Sequence, residues 1–120
     1  MNDQPPSIRF LSPQLHRYAD MLVFPSLLAL ALWMSRRNHT AASLIALNAA
    51  IEGGAFLVTD YPPAVIPKIS FRDHLRLATA TGLAGWAVTL LLQKISPEDR
   101  AVLLAMYSGP IVLSAVSQPE

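Results

Sequence analysis

The chain has 120 residues, 52% of them hydrophobic and only 14% charged, with a net charge of +1 and no cysteine. Soluble domains carry about 25% charged residues, so this composition excludes a disordered tail, a coiled coil and a basic nucleic-acid module. The lack of cysteine removes disulfides, thiolate nucleophiles, cysteine-type zinc sites and iron–sulfur clusters.

Residues 1–14 (MNDQPPSIRFLSPQ) hold three prolines and an acid. They lack the basic start and apolar run of a secretory signal, and they read as an irregular tail. Ser12 followed by Pro13 is a helix-start signature, a capping hydroxyl with proline at the first helical position. The first predicted span is 15–34. A short basic turn, 35–40 (SRRNHT), makes the second span, 41–58, its antiparallel neighbour. His39 in that turn is expected to face solvent. The connection 59–73 (TDYPPAVIPKISFRD) contains three prolines, which forbid a continuous helix. Its apolar residues Val65, Ile66, Ile69 and Phe71 suit a segment lying against a membrane surface. The third span is 75–92. Ser96, Pro97, Glu98 and Asp99 then form a second helix start, with both acids at the positive end of the helix dipole. The fourth span is 99–116.

A bilayer core about 30 Å thick needs about 20 apolar helical residues, with a range of about 17–25. The four segments are near that length, and a soluble bundle would need a polar stripe on each helix that is not present here. Residues 15–120 are therefore predicted to form one all-α domain, an integral membrane four-helix bundle built from two helical hairpins. Pro25 and Pro110 fall inside spans, where membrane helices tolerate them. Arg9, Arg17, Lys68, Arg72 and Arg76 flank one side, and Arg36, Arg37, Lys94 and Arg100 the other. This nearly even split leans only slightly towards cytoplasmic termini, both on the same side.

Leu15-His16-Arg17 opens span one, and His74-Leu75-Arg76 opens span three. The halves thus read as a parallel repeat that brings His16 and His74 to similar depth, with Ala78 standing where the first half has Asp20. His16 and Asp20 at one end of the first hairpin, Thr59-Asp60-Tyr61 at its close, Ile66-Pro67 and His74-Leu75 follow one another in an order that resembles small bacterial SPW-repeat-like membrane proteins. The resemblance covers about residues 15–92. The Ser-Pro-Trp tripeptide of that family is absent from both halves. The resemblance implies paired membrane helices and carries no activity with it.

His16 and Asp20, four apart, share a helix face. They read either as a carboxylate-oriented imidazole or, in the plainer reading, as an interfacial pair at a helix start. Glu52 lies deep in span two with Asn48 one turn earlier. A mid-membrane carboxylate costs about 2.5–3.5 kcal/mol, so Glu52 should face the bundle interior, bond to Asn48 or be held neutral. That marks a proton- or cation-coupled site or, alternatively, an interhelical hydrogen bond that fixes packing. Ala42, Ala46, Ala50 and Gly54 form a small-residue stripe for close helix packing, with Ala78 and Gly82 as a matching surface, or equally a seam between copies. His16 and His74 could together ligate a haem, but no complete metal site is identified, and no metal or other cofactor is expected.

The sequence thus reads as a small non-enzymatic integral membrane protein, a structural, assembly or regulatory component of a bacterial inner membrane. One alternative is a small transporter or channel subunit using Glu52 and Asn48. The other is a membrane haem protein using His16 and His74. The partners open to it are the lipid bilayer and a second copy or a larger membrane complex. Nucleic acid is not among them.

Overall fold

The computed structural model describes residues 9–60 and 68–119. Among these the chain is all-α, with four helices: α1 (Pro13–Ser35), α2 (His39–Val58), α3 (Phe71–Leu91) and α4 (Pro97–Ala115). Each begins where a side chain accepts a backbone N–H of the first turn. Ser12 accepts from Leu15, Asn38 from Ala41, Ser70 from Asp73 and Ser96 from Asp99, at 2.9–3.2 Å. These caps explain why every helix starts two to four residues before the apolar span assigned to it. His39 is the first residue of α2, not a turn residue, and it is exposed. The expectation of a surface-lying connection falls mostly on 61–67, outside the described residues.

The helices pack as sequential pairs, α1 along α2 and α3 along α4. The pairs are joined through a core of Leu27, Met34, Ala41, Ala42, Ile45, Ala49 and Leu103, in which α4 supplies Leu103 to the α1–α2 side. At one end, Arg37 Nε lies 2.7 Å from Asp99 Oδ1, and Asn38 Nδ2 donates to Lys94 O at 2.9 Å. At the other end, two short parallel pairings tie helix ends to helix starts. β1 (Thr59–Asp60) pairs with β2 (Ile69–Ser70), and Leu11 bridges to Ser117.

This arrangement has a period. Ser12 and Ser70 cap α1 and α3, Asn38 and Ser96 cap α2 and α4, and the paired residues Leu11–Ser117 and Ile69–Thr59 occupy equivalent places. All these equivalents are 58 positions apart. The end of each helix pair is thereby fastened to the beginning of the other.

The small-residue stripe does not serve as the contact within the chain. Ala42 is buried, but Ala46, Ala50 and Gly54 face outward, and a Cβ on Gly54 would meet nothing within 4 Å. Packing of α2 instead runs through Ala41, Ile45, Ala49 and Ala55. The four-residue spacing drifts around the helix because a turn holds 3.6 residues. The stripe starts at the contact and winds off it. Gly82 is also turned elsewhere, with its Cβ position 2.6 Å from Ile111 and 2.8 Å from the Tyr107 carbonyl of α4.

α1 and α2 are long and apolar enough to cross a membrane. α3 and α4 have 21 and 19 residues and carry charge in their first turns, Asp73 in one and Glu98 and Asp99 in the other.

Candidate functional site

His16 and His74 each occupy the fourth position of a helix, α1 and α3, and the strand-like pairings bring these two starts together. Their rings meet edge to face, with centroids 5.2 Å apart. Asp20, one turn below His16 on the same face, reaches both. Its Oδ2 is 3.3 Å from His16 Nε2 and 3.1 Å from His74 Nε2. The pair is buried within the chain, with His16 1% and Asp20 5% exposed, and His74 is 1% exposed. The pair does sit in the first turns of a helix, but other elements cover it, because a four-residue spacing identifies a face and not what packs on it.

The outer edge of each imidazole is held by a hydroxyl. Ser117 Oγ is 2.7 Å from His16 Nδ1, and Thr59 Oγ1 is 2.7 Å from His74 Nδ1. Each hydroxyl in turn donates to the carbonyl four residues back, Ser117 to Leu113 and Thr59 to Ala55. Phe71 closes the site, stacked on His74 and edge-on to His16. Ser117 was not picked out from the sequence, Thr59 was read only within the Thr59-Asp60-Tyr61 segment, and Phe71 only as an apolar residue of the connection. The signal that finds two of them is the period itself, since Thr59 and Ser117 are 58 apart, as are the histidines they hold.

Asn48 and Glu52 are buried on α2, 2% and 9% exposed. Together with His16 and Asp20 they line a cavity of about 710 Å³ whose walls include Leu27, Met106 and Pro110. Glu52 is near enough to interact electrostatically with both Asp20 and His74. Among the described residues, Asn48 Oδ1 accepts no hydrogen bond. Sequence reasoning named His16–Asp20 and Asn48–Glu52 as separate pairs, and the fold brings all four to one cavity.

The haem reading meets a steric obstacle. Two axial histidines must face each other across a porphyrin, whereas these rings touch edge to face and converge on a single carboxylate oxygen.

The hydroxyl clamps should be measurable. Thr59→Val keeps the shape but leaves a buried imidazole nitrogen without its partner, a loss of about 1–3 kcal/mol. Thermal unfolding of the purified protein should show it as a lowered Tm, with Thr59→Ser close to wild type.

Compared with protein-family models, with curated proteins and with solved structures, the chain gives no match.

Proposed function

We propose that this chain is a multi-pass integral membrane protein of two helical hairpins, a non-enzymatic structural, assembly or regulatory component of a bacterial inner membrane. The observation that carries this reading is the inverted distribution of polarity. Leu22, Leu32 and Leu91 are 72%, 72% and 78% exposed, while His16, Asp20, Thr59, His74 and Ser117 are all at 5% or less. Water would penalise that exterior, whereas a hydrocarbon solvent favours it and drives polar groups to the inside. At about 1.5 Å per residue, α3 and α4 extend roughly 31 and 28 Å, close to the bilayer core. The 58-residue equivalence of caps and histidines supports a duplicated hairpin of the SPW-repeat-like kind.

The test uses the natural absence of cysteine. Single Arg36→Cys, Gln93→Cys, Lys68→Cys and Gln118→Cys variants are labelled from outside the membrane with an impermeant thiol reagent. Positions 36 and 93 should share one side and 68 and 118 the other, and the protein should resist alkaline extraction. Release into the soluble fraction at alkaline pH would remove the reading.

A second reading is favoured by the cavity lined by Asp20, Asn48 and Glu52. It is cation or proton passage. Proteoliposomes should then show a flux that Glu52→Gln abolishes while the variant still assembles. Equal leakage from wild type, variant and empty vesicles would exclude it.

A further inference from the structure

Three acceptor groups are turned towards one another in the buried centre. The Ser117 and Thr59 hydroxyls spend their protons on the Leu113 and Ala55 carbonyls, so each can only accept from the histidine beside it. Both imidazoles therefore carry a proton on Nδ1. In a neutral ring this leaves a lone pair on Nε2, and both Nε2 atoms point at Asp20 Oδ2. A carboxylate oxygen is itself an acceptor only. Two lone pairs and a carboxylate oxygen turned towards one point form a donor set suited to a cation.

Two of the separations suit a small tetrahedral cation. Charge-assisted N–H···O bonds to a carboxylate run about 2.7–2.9 Å. The separations here are 3.1 and 3.3 Å. A tetrahedral ion with bonds of about 2.0–2.1 Å sets its ligand atoms about 3.3 Å apart. The ligand atoms of the three residues all lie within 4.8 Å of one another. The outer nitrogens are already held by hydroxyls, the hydrogen-bonded support that fixes the tautomer of a metal-binding histidine. Charge agrees as well. Two neutral imidazoles and one carboxylate leave a divalent ion only partly neutralised, and the Glu52 carboxyl group lines the same cavity. The site is open on that side, where the cavity offers Glu52 and the Asn48 Oδ1, unbonded among the described residues, to a fourth ligand or its water.

We propose that His16 Nε2, His74 Nε2 and Asp20 Oδ2 bind a divalent transition-metal ion of the zinc class. Each half of the repeat supplies one histidine and one supporting hydroxyl, and the first half alone adds the carboxylate. The ion would fasten α1 to α3 where the two halves meet. The sequence reading expected no metal here because the residues that complete the site are distant in the chain. The proposal stands on this cluster alone and is independent of the membrane assignment.

The full chain, purified in detergent and stripped with a chelator, is titrated with Zn²⁺ by calorimetry and with Co²⁺ by visible absorption. One ion per chain is expected, with the intense d–d bands of four-coordinate Co²⁺. His16→Ala and His74→Ala should each abolish both signals. His39→Ala, at the exposed start of α2, should leave them unchanged. Because the alanine variants can fail to fold, Thr59→Val and Ser117→Ala are measured as well. They leave all three ligands in place and should weaken Zn²⁺ binding about 10- to 100-fold. Two results overturn the proposal. One is a folded wild type that binds neither ion, which would make a shared proton the cation of the site. The other is binding that survives loss of His16 and His74.

Discussion

Replacing Asp20 with alanine should destabilise the protein by about 3 kcal/mol, the lower end of what removing one partner from a buried ionic cluster costs. Two buried imidazoles, one from each helix pair, converge on this carboxylate. Without it, the two buried ring nitrogens lose the group on which they converge. Asp20→Asn should cost less, because the amide can still donate to one of them. The comparison is made by thermal or SDS-induced unfolding of wild type, Asp20→Ala and Asp20→Asn, with chelator present throughout. An Asp20→Ala protein as stable as wild type would mean that the centre contributes nothing to joining α1 and α3. Ala78, the equivalent position in the second half, is buried. With alanine in place of a second carboxylate there, the first half's acid serves both histidines.

The second large effect is expected in the α3–α4 contact. A Cβ on Gly85 would lie 2.1 Å from Tyr107 Cδ1, and Tyr107 is only 4% exposed. The tyrosine ring thus rests on the bare backbone of α3, and its hydroxyl reaches the Leu44 carbonyl of α2 at 3.4 Å. Gly85→Ala should therefore cost about 1–3 kcal/mol through overpacking. Gly85→Leu should separate α3 from α4. Gly109→Ala is the control, since its Cβ would meet nothing within 4 Å, and it should leave stability unchanged or slightly raised. Tyr107→Leu in the Gly85→Ala background should restore part of the loss, a coupling that a double-mutant cycle measures. If Gly85→Ala and Gly109→Ala are indistinguishable in unfolding, the close packing of Tyr107 on α3 is not what holds this pair together.

Much of the local structure was legible in the residues. Ser12-Pro13 and Ser96-Pro97 start α1 and α4 through contacts spanning three residues, and such short-range chemistry is visible in any window of the chain. The same holds for the apolar content of α1 and α2, which depends on composition alone. The matching starts at His16 and His74 were visible for the same reason. Asn38 and Ser70 are equally good caps. They were passed over because basic and proline-rich surroundings made both segments read as connections.

The faces were not legible. Ala42, Ala46, Ala50 and Gly54 are evenly spaced in sequence, yet only the first is buried. Helical periodicity says which residues lie together but not which partner they meet. Glu52 and Asn48 were marked by the cost of burying polar groups in an apolar segment, and both are interior. Their place beside His16 and Asp20 depends on the fit of α2 against α1, which is set by Ala41, Ile45 and Ala49 rather than by the polar residues.

The sequence by itself determined four apolar helices, the caps of two of them, a repeated His-containing start and a few expensive polar residues, because each of these is written within one or two turns of chain. Only the tertiary structure decided that His16, Asp20 and His74 share one centre, and that Ser117, 101 positions from His16, holds it from outside. Contacts of that span come from fastening the end of one helix pair to the start of the other, and no local pattern encodes the partner.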